Sequence, residues 1–433
     1  MPTTIDVGIE KDDLISIVGN VTSPFVVLSE LIKNGVDANS KAVTININTV
    51  DNSITIRDNG DGFYIEDIKE LGRVASSRKK RNNNLLNKKG QMLLGSKGLA
   101  IFSVFSLGDY VTIKTKNKLD ECYLIEWDKN SGSPSYEKIE DNSFYYGTEM
   151  TISNIDDESM LLLQSNKELQ KFKHISLANY KKNLVLPKVI INKDNKRINI
   201  DISNLQDLEG EFDIKVTFKY NGETNKLSFS YNTQDNRVSN KTIVYDLVKE
   251  KDAKKILQQE YHFKSENLAF EDYTAGGLVE QENIKVPNFE GVWYVKTHRK
   301  TVKMNEFGFG VKLFVNNFAL YNYLNENYDW LNLSDINGNK KTNSFKKHNV
   351  YGYVNFPEFN DIEQGLKIAN ERGGFIENVY YYKFLEILYL FVLFPVINID
   401  IAIRNNKILK PEDGPESEPE DGPESEPEDG PER

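Results

Sequence analysis

The chain has 433 residues, enough for two or three domains, and its 39% apolar and 27% charged residues are typical of a globular protein. Its formal net charge of −11 is concentrated in residues 411–433, which hold eight Glu, three Asp and one Arg, so residues 1–410 carry only −1. This near neutrality argues against a generally basic nucleic-acid-binding protein. The single cysteine, Cys122, excludes intramolecular disulfides.

The first part of the chain combines helix-like and strand-like segments. Residues 12–38 read as a mostly apolar helical region with a break at Thr22-Ser23-Pro24, where a new helix begins. Two strands, Ala42–Asn48 and Ser53–Arg57, are predicted next from their alternation of apolar and polar residues. Residues 64–74 are then predicted to be helical.

A change in composition follows this helix. Residues 75–95 are polar, basic and rich in asparagine, which is typical of a mobile loop, whereas the apolar run at 98–107 predicts a buried helix. Three further strands are expected at 110–116, 121–127 and 148–153. Helices and strands in this order predict a mixed sheet layered against helices, an α/β sandwich over residues 1–160.

The rest of the chain divides into three parts by composition. We expect a linking region over 161–205, a second α/β domain over 206–405, and an acidic repeat tail over 406–433, which together give an α+β protein. The tail repeats Pro-Glu-Asp-Gly-Pro-Glu-Ser-Glu from Pro411 and has no apolar residue in the repeat. A segment of this kind cannot bury a core, so we expect it to be disordered.

The second domain contains several clear local patterns. Residues 311–320 form two strand-like runs around an Asn-Asn turn, which predicts a hairpin, and residues 378–393 predict a long helix. The most apolar stretch, Ile387–Ile399, has 13 uncharged residues interrupted by Pro395. A membrane span needs roughly 20. Because the N-terminus also lacks a signal-peptide pattern, we expect a cytoplasmic protein.

Two short motifs carry the chemical information. In Glu30-Leu-Ile-Lys-Asn34-Gly-Val-Asp37-Ala, Glu30 and Asn34 are one helical turn apart, so both side chains leave the same face. A carboxylate beside a carboxamide suits a site that activates water and holds a hard cation. Asp58-Asn-Gly60-Asp-Gly62 follows a strand, and its glycines let backbone approach a flat ligand.

These motifs resemble the ATP site of the GHKL superfamily, which includes gyrase B, the ninety-kilodalton heat-shock chaperone, histidine kinases and MutL. The resemblance implies a Bergerat-type ATP-binding fold. It implies that Glu30 is the general base that polarises the attacking water, that Asn34 is a ligand of Mg2+, and that Asp58 accepts the exocyclic amine of adenine. Gly147-Thr148 resembles the last strand of that site, where Thr148 reaches adenine through water.

Two further motifs resemble the phosphate end of the same site. Gly95-Ser96-Lys97-Gly98-Leu99 combines glycine turns with a helix N-terminus, which presents free N–H groups to phosphate. It differs from a P-loop, because its Lys and Ser are in the wrong order. Ser77 and Lys79 resemble the motif that opens the ATP lid. The full set expected at ATP is Asn34, Asp37, Asp58, Gly60, Gly62, Ser77, Lys79, Gly95, Ser96, Lys97, Gly98, Leu99 and Thr148.

The second domain resembles that of stand-alone bacterial chaperone-like ATP-binding proteins. The resemblance lies in the hairpin at 310–318 and in Asn370-Glu-Arg372-Gly-Gly-Phe-Ile-Glu-Asn378. In the heat-shock chaperone the matching loop inserts an arginine onto the terminal phosphate, so Arg372 is the expected second catalytic residue. The residue after Arg372 is Gly rather than the Glu of that pattern.

Three functions are compatible with these patterns. The first is slow, Mg2+-dependent ATP hydrolysis that drives a conformational clamp on a protein client, as in chaperones, with a homodimer formed through residues 1–15. The second is a DNA-associated ATPase of the MutL or MORC kind in repair or phage defence, using the basic residues at 78–81. The third is a nucleotide-binding scaffold with little turnover. A histidine kinase is disfavoured, because all four histidines follow the ATP motifs.

Overall fold

The computed structural model describes residues 23–71, 100–131, 133–234, 241–247, 277–339, 343–360, 365–369 and 373–404. Several predictions lie outside these residues. They are the N-terminal segment, the predicted loop at 75–95, the tail, and the site residues Ser77, Lys79, Gly95, Ser96, Lys97, Gly98, Leu99 and Arg372. The described residues confirm a mixed helix-and-sheet protein with an N-terminal α/β domain followed by a second sheet domain.

The first sheet has eight strands in the order β5-β4-β3-β6-β2-β1-β7-β8. Every pairing is antiparallel except that of β1 with β7, which is parallel. The strands are β1 Ala42–Asn48, β2 Ser53–Asp58, β3 Gly108–Lys116, β4 Cys122–Asp128, β5 Ser135–Ile139, β6 Gly147–Ile155, β7 Lys188–Lys193 and β8 Lys196–Ile198. Strands β1 to β4 and β6 coincide with the predicted ones to within two residues, whereas β5 was not predicted.

Helices cover one face of this sheet. Alternate residues of the strands are apolar and buried, as expected for side chains that point toward a covered face. Val43, Ile45 and Ile47 of β1 are all essentially inaccessible to solvent. The helices of this part are α1 Pro24–Asp37, α2 Ile65–Glu70, α3 Ala100–Ser103, α4 Asp157–Leu163 and α5 Asn166–Leu169, with a 3-10 turn at Val104–Ser106. Cys122 is buried in β4, and burial raises the pKa of its thiol.

The second sheet has seven strands in the order β11-β10-β9-β12-β15-β13-β14. Its strands are β9 Ile214–Asn221, β10 Lys226–Thr233, β11 Thr242–Asp246, β12 Phe289–Val295, β13 Gly310–Val315, β14 Phe318–Ala319 and β15 Val350–Phe356. The predicted hairpin is β13–β14, and its turn residues Asn316 and Asn317 both have positive φ. That conformation is the one the Asn-Asn pair predicts. Helices α6 Val302–Phe307 and α7 Leu333–Asn339 lie in the loops.

A long apolar helical run packs against the second sheet. It consists of α8 Val379–Leu388, a π-helical segment Tyr389–Leu393, and α9 Phe394–Arg404. Pro395 was expected to interrupt the run, but it lies in the first turn of α9, where a missing backbone N–H costs little. The run is long and apolar enough to cross a membrane by length and composition alone, yet most of it is buried against the protein core.

The segment assigned to a linking region, 161–205, contacts both sheets. Its strands β7 and β8 complete one edge of the first sheet. Its preceding turns reach the second sheet, where the Leu177 N–H donates to the carbonyl of Asn317 at 2.9 Å and the Ala319 N–H donates to the carbonyl of Ile175 at 3.0 Å. Residues of both parts share one continuous apolar cluster.

Candidate functional site

Helix α1 carries the first group of predicted site residues. It begins after Ser23, whose hydroxyl accepts the Phe25 N–H at 3.3 Å, and Pro24 occupies the first turn. Glu30 is only 5% exposed, and its Oε1 accepts a hydrogen bond from Lys33 Nζ at 2.9 Å. Burial lowers the pKa of Lys33 to about 8, although the neighbouring Asp37 carboxylate opposes that shift. The base predicted at Glu30 is therefore one half of a buried ion pair at neutral pH.

The C-terminal half of α1 reaches the end of strand β2. A Cβ on Gly35 would lie 3.2 Å from the Cβ of Asp58 and 2.7 Å from Cγ2 of Val43, so only glycine lets the helix lie this close to the sheet. Asn34, the predicted Mg2+ ligand, is exposed beside this contact, and Asp37 is half-buried one turn from Lys33. The structure thus brings the two predicted motifs together at Gly35.

Asp58 is the last residue of β2 and is half-buried. Its Oδ1 accepts the Gly60 N–H at 2.7 Å, and the backbone N–H of Thr148 also donates to this carboxylate. Burial nevertheless raises the pKa of Asp58 to about 6. The adjacent cation, Arg57, is bound to Glu149 at 3.0 Å, and no described residue forms an ion pair with Asp58. Asp58 is thus a desolvated acceptor that forms no ion pair in the described part of the chain, although the charge of Arg57 opposes the rise in its pKa.

Thr148 lies directly opposite Asp58 in the β2–β6 register. Its Oγ1 is 3.1 Å from Oγ1 of Thr115, a completely buried residue of β3, and Thr115 Oγ1 accepts the Phe63 N–H at 2.9 Å. Thr148 is therefore the neighbour of the predicted adenine acceptor across the sheet, and its hydroxyl contacts that of Thr115 one strand further on. Thr115 was not predicted as a site residue. The signal that could have found it is its position: Val111, Ile113 and Thr115 occupy alternate positions on one buried face of β3, and Thr115 is the polar one.

The glycines of the site serve contacts within the protein. A Cβ on Gly60 would lie 2.5 Å from the carbonyl oxygen of Ala38. At Gly62, where φ is +68°, it would lie 2.2 Å from the carbonyl of Lys116, and at Gly147, where φ is +119°, 2.1 Å from that of Asp58. The missing side chains leave room for neighbouring backbone, so these glycines hold the loop in place and by themselves say nothing about a ligand.

Side chains of the same loop fix it to the end of α1. Asn59 Oδ1 accepts the N–H groups of Lys41 and Ala42 at 2.8 and 3.1 Å. Asp61 accepts from Asn39 Nδ2 at 2.9 Å and forms an ion pair with Lys118. Asp58 is therefore held between two anchored turns, which pre-organises it for an incoming donor.

These residues suit a nucleotide with Mg2+ by the chemistry of their donors and acceptors. A carboxylate that forms no ion pair with a described residue, with Thr148 opposite it, suits the amine of a purine base, and the exposed amide of Asn34 suits a cation that keeps most of its waters and bridges phosphates. Among the described residues there is no group of three or more His, Cys, Asp or Glu able to hold a metal ion. Phosphate contacts were predicted only for residues outside the described ranges.

Comparison with known sequences agrees with this geometry. Residues 21–167 match the profile of the family described as "Histidine kinase-, DNA gyrase B-, and HSP90-like ATPase". The match includes α1, the loop after β2, and Thr148. It covers the N-terminal part of the chain and stops before the second sheet.

Individual relatives lie in two branches of that family. The chain is 38% identical over 104 residues to the DNA mismatch repair protein MutL of Clostridium botulinum, which covers 24% of this chain and 15% of that protein. It is 36% identical over 110 residues to the chaperone protein HtpG of Buchnera aphidicola, covering 24% and 17%. For HtpG of Rickettsia bellii the identity is 28% over 170 residues, covering 38% and 26%. The chain thus spans about a sixth to a quarter of these relatives.

Proposed function

We propose, from the match of residues 21–167 to the histidine kinase-, DNA gyrase B- and HSP90-like ATPase family, that this protein binds ATP with Mg2+ and hydrolyses it slowly. Hydrolysis would change the arrangement of the two sheet domains. The protein would then act, as a homodimer, as a chaperone-like clamp on a protein partner.

The observation that carries ATP binding is the state of Asp58. Its carboxylate is desolvated enough to raise its pKa to about 6, even though two backbone N–H groups and the nearby charge of Arg57 partly offset that cost, and no described residue forms an ion pair with it. A purine amine would supply the missing donor, with the hydroxyls of Thr148 and Thr115 beside it. Such an arrangement favours a ligand with a neutral N–H donor over one with a negative charge at this end.

Hydrolysis is assigned to Glu30 in this proposal. Lys33 orients this carboxylate through a hydrogen bond of 2.9 Å to Oε1, and the carboxylate would polarise the attacking water. ATP would supply the phosphoryl group, and Asn34 would hold Mg2+, which would neutralise the charge of the phosphates. Arg372 would complete the site from the second domain, as an always-charged planar donor suited to a transferring phosphoryl group. Domain closure would then depend on ATP.

The test measures steady-state ATP turnover and ATP affinity on the wild type, Glu30→Gln and Arg372→Ala. Glutamine preserves an oxygen acceptor for Lys33 while removing the base, so Glu30→Gln should bind ATP normally and lose about 100-fold or more in turnover. Glu158→Gln, which changes an exposed carboxylate of α4, is the matched control and should behave as wild type.

The outcomes separate the components of the proposal. If both variants bind ATP and fail to turn it over, the two-domain mechanism is supported. If only Glu30→Gln fails, hydrolysis is supported and the role of Arg372 is wrong. If the wild type binds ATP without turnover, the protein is a nucleotide-gated scaffold, and if it does not bind ATP the proposal fails.

A further inference from the structure

Two basic segments meet where two neighbouring interior strands of the second sheet end and begin. Strand β12 ends at Val295 and its antiparallel neighbour β15 begins at Val350, and these two residues are register partners. The segments that extend beyond them, residues 296–303 and 346–349, remain in contact, since the Lys296 N–H donates to the carbonyl of Asn349 at 2.9 Å. Lys300 Nζ also donates to the carbonyl of His348.

Together these segments form a concentrated positive surface, which we call the basic edge. It contains no acidic residue, and its members are Lys296, Arg299, Lys300, Lys303, Lys346 and Lys347. Lys296 is paired with Asp213 at 2.8 Å. Arg299, Lys303 and Lys346 are exposed, and no described residue forms an ion pair with them. The near-neutral average charge of residues 1–410 therefore conceals a local excess of cations.

The last described helix ends beside the basic edge. Arg404, the final residue of α9, donates from Nε to Ser344 Oγ at 3.2 Å. Asp400, one turn earlier, accepts the Ser344 N–H at 2.6 Å and its hydroxyl at 2.8 Å. The carbonyl oxygen of Ser344 in turn accepts a hydrogen bond from the Lys346 N–H at 2.9 Å. Arg404, the last described residue of the chain, therefore contacts Ser344, two positions before Lys346 of the basic edge.

We propose that the acidic segment 411–433 binds the basic edge of its own chain. Six residues, 405–410, separate Arg404 from this segment, and an extended chain of that length spans about 20 Å. The segment carries −10 and lacks apolar side chains, so charge is the means by which it would bind. A short connection keeps it at an effective concentration on the order of millimolar near the basic edge. The segment would thereby mask this surface from other polyanions.

The test uses the full chain with all acids of 411–433 changed to their amides, together with a labelled peptide of residues 411–433 as the probe. The neutralised chain should bind the peptide. The wild-type chain should bind it about tenfold more weakly, because its own segment occupies the site. Salt should weaken binding, since exposed charges are screened within about 8 Å at 0.15 M.

Charge-reversal variants locate the site. In the neutralised chain, Lys303→Glu with Lys346→Glu should abolish peptide binding, and both changes lie at exposed residues without ion pairs in the described ranges. Lys188→Glu with Lys196→Glu, at exposed residues of β7 and β8 in the first sheet, is the matched control and should bind as before. Thermal unfolding of each variant verifies its fold.

Other results would overturn the proposal. Equal peptide affinity of the wild-type and neutralised chains would mean that the segment does not occupy the basic edge. Undiminished binding after Lys303→Glu with Lys346→Glu would mean that it binds elsewhere. If a duplex DNA oligonucleotide binds through Lys303 and Lys346 while the peptide does not, the surface serves nucleic acid.

Discussion

Replacing Asp58 by Asn should separate the function of this residue from its effect on stability. Asparagine is nearly isosteric with the protonated acid and does not titrate. Because burial raises the pKa of Asp58 from 3.8 to about 6, the wild-type folded state holds its proton across a range in which the unfolded state has lost it. In that pH range the unfolded state binds fewer protons than the folded state. The free energy of unfolding of the wild type therefore falls between about pH 4 and pH 6 and stays at the lower value above pH 6.

The size of the effect follows from this difference in pKa. Each pKa unit of difference corresponds to about 1.36 kcal/mol. Relative to low pH, the free energy of unfolding of the wild type is therefore lower by about 3 kcal/mol at neutral pH and by about 1 kcal/mol at pH 4.5. Asp58→Asn should therefore be more stable than the wild type by about those amounts, with the gap widening as the pH rises. The same variant should lose ATP binding, because the amide that replaces one carboxylate oxygen offers a donor to the adenine amine.

Urea unfolding followed by tryptophan fluorescence at several pH values measures the gap, and ATP-induced stabilisation measures binding. Asp109→Asn changes an exposed carboxylate of the same domain, paired with Lys129 at 3.4 Å, and should show no comparable pH-dependent gain. A gap that stays constant with pH would refute the reasoning about burial. Unchanged ATP affinity of Asp58→Asn would refute the adenine assignment.

Three other changes test the packing of the site. Lys33→Met should destabilise the protein by about 3–5 kcal/mol because it leaves Glu30 buried without its partner, and adding Glu30→Gln should recover much of that loss; unfolding of the double-mutant cycle measures the coupling. Gly147→Ala should cost about 2 kcal/mol or more, since its Cβ would lie 2.1 Å from a carbonyl oxygen, whereas Gly210→Ala, with nothing within 4 Å, should be nearly silent in the same assay. Thr115→Val should lower stability by about 1–3 kcal/mol and weaken ATP binding by calorimetry, because the buried hydroxyl accepts a backbone N–H; an unaltered variant would show that this hydroxyl is dispensable.

The elements that the sequence predicts well are those with a strong local pattern. Ala42–Asn48 alternates apolar and polar residues and is found with the predicted bounds, and the Asn-Asn turn after Val315 forms the predicted hairpin. Strand β5 was missed because all but one of its residues are exposed, so it has no apolar period to detect. The helical run also continues through Pro395, because a π-helical segment ends just before it.

The site was predicted in outline but not in its contacts. The spacing of Glu30 and Asn34 indicates that both lie on one helix face. The position of Asp58 after a strand-like run indicates that it lies at the end of a strand. Local patterns do not reveal that Lys33 closes onto Glu30, or that Gly35 is the point at which helix and sheet touch. Such contacts depend on how two elements pack, which involves residues distant in the sequence.

The parallel pairing of β1 with β7 has a practical consequence for isolating the N-terminal domain. The family match ends at residue 167, but among the described residues the strand that pairs with the outer side of β1 is Lys188–Lys193, which lies more than twenty residues later. A recombinant fragment ending at 167 would expose the unpaired N–H and carbonyl groups of β1 and invite edge-to-edge aggregation. A soluble fragment should therefore extend through Ile198, the end of β8. During synthesis, the first sheet likewise stays incomplete until these residues have left the ribosome.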